Sequence, residues 1–325
     1  MSDPCSTVAM TTGFHKVGKV AALASAFLCL SSATSQAPGN DVAGAQQGAS
    51  WEQGRSAAWE LSQKRRLSAA LATLKPQRPG VVDAYVVVIG LDSDEVFERE
   101  ATQAAKVLAR RYDAVGRTIL LAADSASAPN GSPAFLSIAL AAVAAKMNLK
   151  EDALVLYTTS HGGADVGLAY RDRVNGYGLI APKRMAELLS ELKVERRLVM
   201  ISACYSGQFV DALASPDTAI VTAADNDRTS FGCAPGNDWT FFGDALINHQ
   251  LRKPQKFEAA SNEAITLIGT WEFSRGLTPS KPRLFIGDKA KVWLGLLEQR
   301  IPLAATAKVG RPAIDEIAEA AAVVP

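Results

Sequence analysis

Two stretches of the chain set a reactive side chain in the same kind of place. "LVLYTTSHGG" (Leu154–Gly163) and "RLVMISACYSGQF" (Arg197–Phe209) are hydrophobic runs that stop at small polar residues, carry one reactive group and pass on to glycine. His161 and Cys204 are those groups. A thiol with an ordinary pKa near 8.5 is only slightly ionised at neutral pH. A neighbouring imidazole can take its proton or hold the thiolate as an ion pair. The same imidazole can then protonate the amine that leaves a peptide bond. Gly162 and Gly163 leave main-chain N–H groups open to close approach by a substrate carbonyl, which an oxyanion hole needs. The N–H groups of Gly162 and Cys204 are the natural donors, and Gly207 is read as permitting the tight turn out of the nucleophile.

From spacing alone, other readings of these residues stay open. A buried cysteine is commonly inert packing, and a histidine at a strand end is commonly a boundary residue. Of the 4 cysteines, Cys5 and Cys29 fall in the first 37 residues. That leaves Cys204 and Cys233, which in an oxidising compartment could form a structural or reversible disulfide. A zinc site from His161, Cys204, Cys233 and His249 lacks the closely spaced ligand pairs that preorganise such centres.

The elements that must position the pair alternate between strand and helix. "AYVVVIGL" (Ala84–Leu91), "RTILLAA" (Arg117–Ala123), "ALVLYTTS" (Ala153–Ser160), "RLVMIS" (Arg197–Ser202) and "TAIVTAA" (Thr218–Ala224) are continuous apolar runs. Such runs suit strands buried on both faces. "RLFIG" (Arg283–Gly287) adds a sixth. Helical periods fill the gaps, at Val96–Tyr112, from Ser132-Pro133 to Met147, from Pro182 to about Leu192, near Trp239–Gln250 and at Phe257–Gly276. Asn175-Gly176 signals a hairpin between the third and fourth strands. The order implies α/β architecture, a mostly parallel six-stranded sheet with helices on both faces. Ligands of such sheets sit beyond the carboxyl ends of the strands. Both His161 and Cys204 lie just past such ends, within reach if the third and fourth strands are adjacent.

Before Gly80, the spacing of Trp59, Leu67, Leu71 and Leu74 predicts one amphipathic helix from Trp51 to Leu74. His15, Lys16 and Lys19 precede the apolar run "VAALASAFLCL" (Val20–Leu30), and small residues follow up to Ala37. That pattern reads as an export signal, too short for a stable membrane span. The expected organisation is therefore a signal peptide at 1–37, a linker and helical extension at 38–80, a central domain at 81–290 and a helical tail at 291–325. The chain is 48% hydrophobic and 21% charged with a net charge of +1. That balance offers no electrostatic case for nucleic acid as a partner.

"YTTSHGG" with "ISACYSGQF" resembles the legumain (asparaginyl endopeptidase) family of cysteine peptidases, particularly its bacterial members. "DEVFEREATQAAKVLARRYDAVGRTILL", "TAADNDRTSFGCAPGNDWTFFGDAL" and "TPSKPRLFIG" resemble family blocks in the same order, so the likeness runs from about Ala84 to Gly287. The resemblance implies a caspase-like three-layer sandwich, with His161 as catalytic histidine and Cys204 as nucleophile. It further implies Gly162 and Cys204 as oxyanion donors, a peptide or protein substrate, and no metal or organic cofactor. Arg99 resembles the family's pocket arginine, and Ser230 a pocket wall. Ser202 stands where legumains carry an acidic pocket residue, and Phe97 where they carry the asparagine that orients the histidine. Asp225 or Asp227 could supply the missing pocket carboxylate. The family's shared acyl-enzyme leaves a transamidase or peptide ligase as an alternative to hydrolysis. A non-catalytic caspase-like binding domain with a Cys204–Cys233 disulfide is the alternative from another class.

Overall fold

A computed structural model describes Gly48 and residues 50–322. The predicted export signal lies outside the described residues. In chain order the elements are β1 (Ser50–Glu52), α1 (Ala57–Ala72), β2 (Ala84–Gly90), α2 (Glu95–Arg111), β3 (Thr118–Ala122), α3 (Pro133–Lys146) and β4 (Ala153–Thr159). There follow β5 (Gly162–Gly163), β6 (Gly167–Arg171), β7 (Gly176–Ile180), α4 (Pro182–Glu191), β8 (Arg197–Ser202), α5 (Gln208–Leu213) and β9 (Thr218–Thr222). A π-helix (Gly243–Gln250), α6 (Phe257–Ser274), β10 (Leu284–Ile286), α7 (Asp288–Glu298) and α8 (Ala313–Ala322) complete them.

The apolar runs form one six-stranded sheet in the order β10-β9-β8-β4-β2-β3. Its pairs are parallel except β9 with β10. Every residue of β2 and β4 is buried, because alternate side chains enter different cores. Val86, Val88, Val155, Tyr157, Leu198 and Met200 face a core shared with α2, the π-helix, α6 and α7. Tyr85, Val87, Ile89, Leu154, Leu156, Val199 and Ile201 face the other, shared with α1, α3, α4 and α5. The three-layer α/β sandwich expected from the strand–helix alternation is thus present, and β4 and β8 are neighbours. The π-helix closes with Leu251 N–H on the Leu246 carbonyl at 2.8 Å.

A smaller sheet, ordered β1-β7-β6-β5, leaves the carboxyl end of β4. The hairpin is where Asn175-Gly176 predicted it, with Asn175 at φ 79°. Trp51 is not helical: Ser50–Glu52 pair with Gly176–Gly178 of β7. The helix starts six residues later than the apolar spacing suggests, where Ser56 accepts a hydrogen bond from Trp59 N–H at 3.1 Å. Leu67 and Leu74 then enter the core as expected. Beyond the sheet, α7 runs across residue 290, so the boundary read there falls inside a packed helix. The tail that follows is stitched back by Trp239 Nε1–H to the Val309 carbonyl at 2.8 Å and Ala313 N–H to Asp244 Oδ2 at 2.9 Å.

The Arg55 guanidinium locks the N-terminal segment to the hairpin. It stacks on Trp59 at 4.3 Å, donates to Tyr170 Oη at 2.7 Å, and pairs with Asp172. Asp172 has a fully buried side chain and also accepts from Tyr170 Oη at 2.6 Å and Gly176 N–H at 2.9 Å. The carboxylate beside Tyr170 pushes the phenol pKa up, as does burial, which is the larger cause. Removing one partner of a buried ion pair strands the other charge, at a cost of about 3 kcal/mol. Arg55→Ala should therefore lower unfolding free energy by about that amount in denaturant titrations. Adding Asp172→Asn should restore part of the loss.

Candidate active site

The parallel register sets Thr159 of β4 opposite Ser202 of β8. Two residues further along each chain stand His161 and Cys204, so both reactive groups emerge at the same height on adjacent strands. Ser160 N–H donates to the Ser202 carbonyl at 3.1 Å, carrying the pairing one step beyond the strands. A Cβ on Gly162 would collide with the Cys204 carbonyl, so only glycine lets the two loops close on each other here. Ala169 N–H donates to the His161 carbonyl at 2.9 Å, flanking the Gly162–Leu168 pair. Gly162 is thereby at a non-hydrogen-bonded position of the ladder, and its own N–H turns away from β6.

Cys204 is buried, at 4% exposure. The next residue, Tyr205, has φ 55°, a left-handed conformation that a bulky side chain adopts only under constraint. Its N–H is fixed on the Arg228 carbonyl at 2.7 Å. The turn's left-handed residue is thus Tyr205 and not Gly207, whose φ is −55°. Gly207 serves by lacking a Cβ: one there would sit 2.7 Å from the backbone of Asp225 and Asn226.

His161 has a partner that the sequence reading missed. Its Nε2 lies 3.3 Å from Asp94 Oδ2, and its ring meets Phe97 edge-on at 5.0 Å. Asp94 holds the position just before the first turn of α2, one turn ahead of Phe97. The carboxylate accepts the Nε2 proton, leaving Nδ1 as the basic nitrogen. The acidic stretch "LDSDE" directly after β2 was the available signal, since it follows a strand end in the same sheet. Arg171 fixes both aspartates there: it donates to Asp92 Oδ1 and Asp94 Oδ1 at 2.9 Å each, and its Nε donates to Asp92 Oδ2 at 3.1 Å. Asp92, Asp94 and His161 have ligand atoms within 4.8 Å of one another, but the Arg171 cation already bridges the two carboxylates. His249 belongs to another place, on the π-helix between Asp244 and Trp271, away from a zinc set with His161.

The three pocket residues take different positions. Ser230 is beside Cys204: its N–H donates to Cys204 Sγ at 3.2 Å, and its Oγ is 3.7 Å from the same sulfur. Arg99 reaches over a loop, donating to the Asn237 carbonyl at 2.5 Å and to the Pro235 carbonyl, with Asp238 Oδ1 at 3.7 Å. Ser202 is buried beneath the site with its Oγ 3.0 Å from Thr240 Oγ1. Thr240 gives its own hydroxyl proton and its N–H to Glu100 Oε2, at 2.8 and 2.9 Å. An acceptor-only carboxylate fixes that direction, so Ser202 must donate to Thr240. Tyr157 Oη donates to Glu100 Oε1 at 2.6 Å, and burial, then this carboxylate, hold the phenol pKa well above its ordinary value. Asp225 pairs with Arg283 at 3.7 Å and Asp227 with Arg228 at 3.5 Å, both in the turn behind the nucleophile.

Residues 137–272 match the family model described as Peptidase C13 family. The match takes in His161, Gly162, Ser202, Cys204 and Ser230, while Asp94, Phe97, Arg99 and Glu100 precede it. The chain is also similar to a solved structure titled "Crystal Structure of Caspase-1 from Spodoptera frugiperda". That similarity has 12% identity and a TM-score of 0.43, over 65% of this chain and 92% of the other. No curated protein matches the chain.

Losing a hydrogen bond to a charged group costs about 1.5–3 kcal/mol. If Asp94 orients His161, Asp94→Ala should lower turnover roughly tenfold to a hundredfold while leaving the fold intact by circular dichroism. Asp94→Asn should fall less, since an amide oxygen still accepts from Nε2.

Proposed function

From the match of residues 137–272 to the Peptidase C13 family model, we propose that the protein is a cysteine endopeptidase of legumain type. Cys204 is the nucleophile and His161 its base and acid. The observation that carries the reading is the β4–β8 register, which delivers imidazole and thiol to the same sheet edge beside an unencumbered Gly162 N–H.

The chemistry follows from those parts. His161 Nδ1 takes the thiol proton, and the sulfur lone pair attacks the scissile carbonyl carbon. The carbonyl oxygen becomes an oxyanion held by the N–H groups of Gly162 and Cys204. The C–N bond breaks as His161 returns the proton to the leaving amine, giving a thioester on Cys204. Water, deprotonated by His161, attacks the thioester; the C–S bond breaks and the electron pair returns to sulfur. An amine in place of water would give transamidation instead, by the same groups. The substrate is a peptide or protein, the protein is exported by its N-terminal signal, and no metal or organic cofactor enters the reaction. Among the described residues no helix is long and apolar enough to cross a membrane.

Arg99, the pocket counterpart, already spends donors on the Asn237 and Pro235 carbonyls. Ser202 turns its hydroxyl into the Thr240–Glu100 network. Neither presents the acidic and basic pair that legumain-type recognition of asparagine uses. Ser230 is the pocket residue in direct reach of the reacting sulfur.

The test is alkylation of Cys204 by iodoacetamide against pH, read by mass spectrometry, alongside cleavage of a peptide library. Labelling well below the ordinary thiol range near pH 8.5, slowed in His161→Ala, is the expected result. Cys204→Ala should abolish cleavage. An ordinary thiol titration indifferent to His161, with no cleavage, would leave the binding-domain reading in its place.

A further inference from the structure

We propose that Ser230 acts in catalysis through its main chain, its N–H being a built-in hydrogen-bond donor to the Cys204 thiolate. This rests on the reading of Cys204 as nucleophile.

The geometry points to the backbone and away from the side chain. The Ser230 N–H reaches Sγ at 3.2 Å, while its hydroxyl and carbonyl oxygens both stand at 3.7 Å. The segment is held on both sides. On one, the Arg228 carbonyl accepts from Tyr205 N–H at 2.7 Å, tying the loop to the strained residue after the nucleophile. On the other, the Phe231 carbonyl accepts from Phe241 N–H at 3.0 Å. Thr240, next to Phe241, is anchored on the buried Glu100 through two bonds. Asn237 Nδ2 fixes the Gly232 carbonyl at 2.9 Å, and Gly232 adopts φ 89°. A Cβ at Gly232 would lie 2.9 Å from Phe241 N, so the two arms of the loop need this glycine to close.

A donor so placed favours the charged sulfur over the neutral one. It helps at two points. Before attack, it raises the thiolate population once His161 has accepted the proton. In the collapse of the second tetrahedral intermediate, the C–S bond breaks and the pair returns to sulfur, where the same N–H receives the charge. A thioester sulfur accepts hydrogen bonds poorly, so the interaction is strongest in the states that flank the acyl-enzyme.

The experiment uses the full chain labelled with ¹⁵N-serine. The Ser230 amide proton is followed by NMR from about pH 5 to about pH 9, a range bracketing the ordinary thiol value. Thiolate is followed in parallel by its ultraviolet absorbance. The Ser230 amide is expected to move downfield with the same midpoint as the thiolate, and Cys204→Ala should flatten that titration. A Ser230 amide that stays flat while the thiol ionises overturns the proposal. Ser230→Pro removes the N–H and should raise the thiol midpoint by roughly one unit, whereas Ser230→Ala, which keeps the N–H, should hold it. An unchanged midpoint in a folded Ser230→Pro variant also overturns it. The peptidase reading fails on different evidence, an alkylation rate indifferent to His161 and no cleavage, whatever the Ser230 amide does.

Discussion

The pairing of Thr159 with Ser202 in parallel strands is the constraint from which the site follows. Side chains on neighbouring parallel strands at the same register stand about 4.8 Å apart by main-chain geometry alone. Two residues beyond that pair, both chains have left the ladder but still hold each other through Ser160 N–H on Ser202. A one-residue slip in either strand would send its reactive group to the opposite face of the sheet. The two hydrophobic cores that lock β4 and β8 in register are therefore part of the chemistry, although none of their side chains approaches a substrate.

Helix α2 is the second organiser. Within its first two turns and the residue before them it presents Asp94 and Phe97 to the imidazole, Arg99 to the carbonyls of the 235–237 loop and Glu100 to Thr240. The histidine side and the loop that meets Cys204 are thus positioned by one rigid body. Gly243 completes the arrangement, because a Cβ there would overlap the Glu100 carboxylate. The π-helix begins at that glycine, where the backbone must pass close to a buried charge.

Much of the fold was legible because the strands are buried on both faces and so read as unbroken apolar runs. The strand ends singled out His161 and Cys204, and the family resemblance then favoured the catalytic reading among those that spacing left open. What escaped the sequence is what depends on partners distant along the chain. The expected helix reaches back to Trp51 because the sequence cannot reveal that Tyr177 of β7 pairs with it. Asp94 escapes because the family resemblance places the histidine's partner at Phe97, one turn later. The role given to Gly207 shifted to Tyr205, since strain at a bulky residue has no compositional signature. The Ser202 hydroxyl could be placed in a pocket only until its bond to Thr240 fixed its direction.

The short strand β1 has a different kind of consequence. All three of its residues are exposed, and it attaches to β7 by main-chain pairing. The same small sheet ends at β5, the Gly162–Gly163 strand. Side-chain identity at Ser50 and Trp51 is therefore weakly constrained, while Glu52, which pairs with Arg55 at 3.2 Å and accepts from Tyr170 Oη at 3.0 Å, and the length and backbone of the strand are not. Related chains could diverge freely at the first two residues of this segment and still keep its hydrogen bonds, provided proline stays out and the count of residues to Arg55 is preserved. Homology judged by letters would rate the segment as a variable leader; judged by hydrogen bonds, it is one edge of the sheet that ends at Gly162 and Gly163.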